Sequence, residues 1–276
     1  MATSLKHPDV IDIPGTICGY WSDLRNAGAF LTVLPVAPSC PSTDTEIEAA
    51  QTVGDRLQRA TVFFPLVGAG IGLVAGLMLL GAFELGLQPL SCALIGLASA
   101  ALLTGALHED GLADFFDGLG VSGPAEKRLA VMRDSRIGTF GTLAVVFGIG
   151  IRASILSGLS SADLAMAALI AGGAASRSML PIAMRWQRPA RTQGLSANAG
   201  APSGPQVVAA CAIAFIIALV TVGLWGSLAI GAAVAFAVLL IAMIAQKAFG
   251  GQTGDVLGAM QVAAETLALA TVAMLE

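Results

Sequence analysis

Leu107 to Gly120 reads LHEDGLADFFDGLG. Asp110, Asp114 and Asp117 recur at spacings of four and three, so a helix places them in one stripe about two turns long. Like charges stacked in this way repel one another. A bound cation offsets that repulsion, and an all-oxygen ligand set beside phosphate favours Mg²⁺ or Mn²⁺ over zinc. The bland alternative is a solvated acidic cap at a helix start. Two features favour a site: acids directly following a long apolar run are costly and tend to be functional, and Gly111, Gly118 and Gly120 leave backbone open to a ligand. His108 precedes the stripe and is the only histidine outside the N-terminal tail. It reads equally as a proton acceptor or substrate hydrogen-bond partner and as a polar marker of a membrane boundary.

Cations follow in VMRDSRIGTFG, Val131 to Gly141. Arg133 and Arg136, beside Asp134 and Ser135 and just before a helix opening at Gly138, suit a phosphate. Taken alone they read equally as positive-inside anchors. Arg152 and Arg177 lie well inside apolar stretches, where an unpaired guanidinium costs at least a few kcal/mol, so each must face an acid, a carbonyl or water. Arg177 sits in GGAASRSMLP, whose small residues leave room for a polar cavity. In FGGQTGDVLG, Asp255 opens the last apolar segment after a glycine loop. It is placed to complete a metal site or bind a sugar hydroxyl, although GxxGD alone is a weak motif.

The elements that must position these groups are membrane helices. The chain has 276 residues, 56% hydrophobic and only 12% charged, with a mean hydropathy of +0.82, outside the usual range of soluble domains. Apolar segments of bilayer-crossing length, rich in Ala, Leu, Val, Ile and Gly, predict an all-α, polytopic transmembrane bundle rather than a barrel. The spans expected are Thr61–Phe83, Pro89–Leu107, Ile137–Leu159, Leu164–Met184, Val207–Leu224, Ser227–Ala245 and a weaker Val256–Leu275, six to seven in all. Gly68, Gly72 and Gly76 put small residues on one face of the first span, as close helix contact in lipid prefers. Residues 1–58 form a polar tail, interrupted by AGAFLTVLPVAP, too short to span and expected to be interfacial or re-entrant; 59–276 form the catalytic domain. Met1 to Tyr20 lacks the apolar core of a signal peptide. Cys18, Cys40, Cys92 and Cys211 are far apart with no CxxC pair and read as small packing residues. The net charge of −4 is small and segregated into loops, so nothing favours a nucleic-acid partner.

Basic residues occupy alternate connections: Lys6, Arg25, Arg56 and Arg59 before the first span, Lys127, Arg128, Arg133 and Arg136 after the acidic stripe, Arg185, Arg188 and Arg191, then Lys247. The intervening links ELGLQ, SSAD and LWGS carry none. Positively charged loops stay in the cytoplasm, so the N-terminus and all motif-bearing loops are expected on the cytoplasmic face of the inner membrane.

TGALHEDGLADFFDGLG, MRDSRIGTFG, ASRSMLP and GGQTGDVLGA, in that order and after ATVFFPLVGAGIG, resemble the cobalamin synthase family of adenosylcobinamide-GDP ribazoletransferases. The resemblance runs from about Phe30 to near the C-terminus. Two departures are visible: many members carry two glycines where this chain has GAL at Ala106, and Glu109 stands where the family is often apolar. The resemblance implies an Mg²⁺-dependent transfer of the adenosylcobinamide-phosphate group from adenosylcobinamide-GDP to α-ribazole or its 5′-phosphate, releasing GMP. In that frame Asp110, Asp114 and Asp117 are expected to hold metal, with Asp114, Asp117 or His108 taking the proton. Arg133, Ser135, Arg136, Arg177, Gln252 and Asp255 are expected to bind substrate. Partners are the two substrates and the bilayer, with a homo-oligomer or other cobalamin-pathway enzymes also conceivable. A CDP-alcohol phosphatidyltransferase is the nearest enzyme alternative, but its D-G-x-x-A-R block is absent; a transporter is the alternative from another class, although the acids cluster at one face rather than at the bilayer midplane.

Overall fold

The computed structural model describes residues 17–36, 54–191 and 200–276; expectations for the rest of the tail, Lys6 and Cys40 included, lie outside the described residues. Among the described residues every regular element is a helix, apart from one isolated bridge between Pro189 and Gln252. In chain order the helices are α1 (Ile17–Leu31), α2 (Phe64–Glu84), α3 (Pro89–Thr104), α4 (Leu107–Gly120), α5 (Ala125–Val131), α6 (Thr139–Gly158), α7 (Ala162–Trp186), α8 (Gly204–Phe249) and α9 (Gly254–Leu275). A helix over 54–60 and a 3₁₀ turn, Thr61–Phe63, lead into α2.

Five helical stretches are long and apolar enough to cross a membrane: Gly54–Glu84, α6, α7, α8 and α9. The pair α3 and α4 makes a sixth only if taken together, and the two are bent by 90°. The segments expected as Val207–Leu224 and Ser227–Ala245 lie in one helical stretch of 46 residues, about 70 Å at 1.5 Å per residue and over twice the hydrocarbon thickness. Gly223 (φ 75, ψ 179) breaks it, in a conformation essentially confined to glycine, so the two expected spans are the halves on either side.

The span expected to reach Leu107 instead stops at Thr104. Gly105 (φ 62) and Ala106 (φ 56) are both left-handed, and the Ala106 N–H closes the helix end on Ala101 O at 2.7 Å. The chain therefore turns sharply, and α4 leaves the line of α3.

The expected contact face of the first span is present. A Cβ on Gly68, Gly72 or Gly76 would run into Gly173, Leu169 or Met166 of α7, so α2 and α7 meet backbone to backbone. Val256, Ala259, Met260 and Leu269 of α9 are fully buried at the centre of the bundle. The first part of AGAFLTVLPVAP belongs to α1, which is docked on the bundle. Ala27 and Leu31 are fully buried among Leu57, Ala60, Phe64, Leu180 and Met184, Phe30 stacks on Phe64 at 5.6 Å, and Asp23 pairs with Arg59 at 3.3 Å.

Candidate active site

The loops bearing the motifs converge at one end of the bundle. The links at the other end, after α2 and after α6, carry no lysine or arginine.

The acidic stripe meets Asp255 because α4 and α9 cross at two glycines. A Cβ on Gly111 would lie 3.0 Å from Asp255 O and 3.1 Å from the Gly258 Cα, so a side chain here would force the two helices apart by a few tenths of an ångström. Asp114 consequently lies in the electrostatic field of Asp255, Asp110 and Asp117, with Arg191 opposing them. Thr253 caps α9 by accepting from the Val256 N–H at 3.3 Å and donates its own hydroxyl to Asp255 Oδ2 at 3.2 Å. Arg191 stands 3.8 Å from the same oxygen and donates to Leu129 O at 3.0 Å. Burial draws the Arg191 guanidinium below its ordinary value, against the pull of Asp255. In the sequence Arg191 is one of three basic residues of a loop, and that position gives no sign of its reaching the acids.

A polar cleft of about 240 Å³ opens beside this crossing. Asp110, Ala113 and Asp114 of α4 form one wall; Met132, Arg133, Asp134, Ser135 and Ile137, from the loop after α5, form the other. Of the expected site residues, the cleft thus gathers Asp110, Asp114, Arg133 and Ser135. Arg136 is not among its walls. Its exposed guanidinium is clamped on Asp134 at 2.7 to 3.2 Å, and this contact holds the Asp134 carboxyl at about 2.

Asp117 has another occupation. Its two oxygens accept the Gly138 and Gly141 N–H groups at 2.7 and 2.8 Å, capping α6 with a side chain from α4. Side chains at Gly138 or Gly141 would collide with this carboxylate, which explains the glycines of RIGTFG. The glycines expected to admit a ligand are used for packing instead: Gly111 faces α9, Gly118 faces Met132 and Phe249, and Gly120 faces Phe140.

Three expected site residues lie elsewhere. Arg177, 3% exposed, sits inside the bundle 3.5 Å from Glu265. Its Nη1 also donates to Gly173 O at 3.2 Å, and Gln261 donates to Glu265 and, at 3.2 Å, to Ser176. A buried guanidinium needs its own counter-ion, so this one is not presented to the cleft. Gln252, 2% exposed, donates to Met184 O and Gln187 O while its backbone bonds Arg188 and Ala190; it ties the loop before α9 to the end of α7 rather than facing the cleft. His108 is 4% exposed and lines a separate apolar pocket. Arg152, as expected of an intramembrane cation, has an acid: Glu109 at 3.0 Å.

Among the described residues no three His, Cys, Asp or Glu side chains converge as a ready-made metal site. Magnesium does not require one, since it is usually held by one or two carboxylates plus substrate phosphates and waters. Asp110 and Asp114, both at the cleft with hard oxygen donors, fit that mode.

The profile of the family described as cobalamin-5-phosphate synthase matches residues 23–273. The chain belongs to this family. Adenosylcobinamide-GDP ribazoletransferase of Bradyrhizobium diazoefficiens is 41% identical over 259 residues, covering 93% of this chain and 96% of that one. The enzyme of the same name from Allorhizobium ampelinum is 36% identical over 270 residues, covering 94% and 99%, and that from Azorhizobium caulinodans 41% over 212 residues, covering 74% and 80%. No solved structure matches. The cobalamin-5-phosphate synthase match begins inside α1 and takes in every residue of the cleft.

Proposed function

We propose that this chain is an adenosylcobinamide-GDP ribazoletransferase whose cleft faces the cytoplasm from the inner membrane. The observation that carries the reading is the cleft itself, with Asp110 and Asp114 on one wall and Arg133 and Ser135 on the other. That is the charge arrangement a metal-bound diphosphate requires. The close relatives' shared name supplies the substrates.

In this mechanism Arg133 and the Ser135 hydroxyl grip phosphate oxygens of the donor. A ribose hydroxyl of α-ribazole, or of its 5′-phosphate, attacks the phosphorus that carries cobinamide. The new O–P bond forms as the O–P bond to GMP breaks, and the hydroxyl proton passes to a carboxylate. Asp114 is assigned that proton, because both Asp117 oxygens already receive amide donors. Asp110 and Asp114 would hold Mg²⁺, with Asp255 next to them, and the ion would supply charge neutralisation at the diphosphate and its leaving oxygen. Arg191 orients Asp255.

The test is GMP release by the detergent-purified protein from adenosylcobinamide-GDP plus ribazole, with and without Mg²⁺. Release that needs both ribazole and the metal is the expected result. Release without ribazole, or turnover of CDP-diacylglycerol instead, overturns the assignment.

A further inference from the structure

Asp110 borders two spaces. Besides the polar cleft it lines an apolar pocket of about 170 Å³ walled by Phe30, Phe64, Leu180 and Met184, with His108 and Asp255 in the same lining. The stacked Phe30 and Phe64 rings bring α1 and α2 together on one side. His108 Nε2 is buried and has no hydrogen-bond partner among the described residues. A ligand pocket of this kind is apolar over most of its surface and polar at few points. Its size slightly exceeds the roughly 150 Å³ cavity known to take up a benzene ring.

We propose that this pocket seats the flat heteroaromatic base of the acceptor nucleoside, with His108 Nε2–H donating to the ring nitrogen not bonded to ribose. The proposal rests on the ribazoletransferase reading. With the base so placed, the ribose lies toward Asp110, the residue common to the two linings, and its hydroxyl is delivered beside Asp114. Other occupants suit the pocket less well. A lipid chain leaves Nε2 unpaired and sets hydrocarbon against the Asp110 and Asp255 carboxylates, and the corrin ring of the donor is far larger than the space. His108 is thereby a binding and positioning residue for the acceptor, not the proton acceptor.

The experiment compares KM values for each substrate in the full-length purified protein. Leu180→Phe narrows the pocket and is expected to raise the KM for α-ribazole at least tenfold while the KM for adenosylcobinamide-GDP stays within twofold. An acceptor analogue with carbon in place of the free ring nitrogen is expected to be about tenfold poorer for the wild-type enzyme, and His108→Ala is expected to treat the two acceptors alike. A rise in donor KM alone, or a His108→Ala enzyme that keeps its preference for the ring nitrogen, overturns the proposal. So does loss of a co-purified lipid from Leu180→Phe with neither KM changed. If Leu180→Phe does not accumulate in membranes, Leu180→Ala enlarges the pocket and is expected to relax discrimination against bulkier bases; an unchanged ranking sinks the idea. Absence of GMP release by the wild-type protein overturns the functional reading instead. The pocket is then judged by equilibrium dialysis with α-ribazole alone, where binding lost in Leu180→Phe supports it and undiminished binding refutes it.

Discussion

The Asp117 carboxylate on α4 accepts a 2.7 Å hydrogen bond from the Gly138 N–H, so the acidic stripe holds the start of α6 and, with it, the loop that forms the opposite wall of the cleft. Asp117→Ala is expected to cost about 1–2 kcal/mol, as loss of an N-cap does, and to raise the donor KM as Arg133 and Ser135 lose their anchorage. Thermal unfolding in detergent and steady-state kinetics check this together. An unchanged melting temperature with abolished turnover would show that Asp117 works as a metal ligand rather than a cap.

Asp114 is the carboxylate with most of the chemistry resting on it. Asp114→Asn keeps the shape but removes a charge, and turnover is expected to fall at least 100-fold, by analogy with the ordinary contribution of a general base, while the protein still inserts in the membrane. Removing divalent metal with EDTA should silence the wild-type enzyme, with Mg²⁺ restoring it. Near-normal activity in Asp114→Asn would remove the central assignment.

The two arginines of MRDSRIG separate cleanly. Arg133 faces the cleft, whereas Arg136 is committed to Asp134. Because Asp134 is held at about 2, below the usual carboxylate value of about 3.9, the contribution of the pair is fully present above the unfolded value and disappears only as the pH falls through about 2. It therefore stays ionised at any working pH. Arg133→Ala is expected to raise the donor KM tenfold or more across pH 6 to 9, and Arg136→Ala less than threefold. Equal effects would place both guanidinium groups on the substrate.

Glu109 and Arg152 form an ion pair with side chains 14% and 5% exposed. Breaking it by Arg152→Leu leaves a buried carboxylate unpaired and is expected to cost about 3–5 kcal/mol. The double variant Glu109→Leu/Arg152→Leu should recover most of the loss. Stability measured for both variants decides it: no recovery in the double variant means that one partner has a role beyond the pair.

Ala106 is the one non-glycine residue with positive φ among the described residues. A left-handed alanine is strained by about 1–2 kcal/mol, so Ala106→Gly is expected to stabilise the α3–α4 corner by about 1 kcal/mol with activity retained. A lower melting temperature would mean that the added freedom of the unfolded chain outweighs the relief of strain.

Much of the architecture is legible in the amino-acid sequence. The hydropathy of the segments located the long helices, because backbone groups in hydrocarbon must be satisfied within a helix. The Gly68, Gly72 and Gly76 spacing identified a close-contact face for α2, and the place of Arg152 in an apolar stretch required an acid, a carbonyl or water opposite it, of which the fold supplies the acid Glu109. Less legible were the ends of elements. The corner at Gly105 and Ala106 is set by two backbone torsions that apolar composition does not reveal.

What the sequence alone determined is which groups are available at one face of a helical bundle: Asp110, Asp114 and Asp117 in one stripe, with Arg133 and Ser135 in the next loop. Periodicity and solvation cost are local properties of the chain, so they can be read locally. Which of these groups face a ligand was decided only in three dimensions. Folding set Asp110 and Asp114 at the cleft, spent Asp117 on the amides of α6, buried Arg177 against Glu265 and brought Arg191 to Asp255. Each of those outcomes depends on a counter-ion or an amide donor from a distant part of the chain, and only the packing of α4 against α9 and α6 brings such partners within reach.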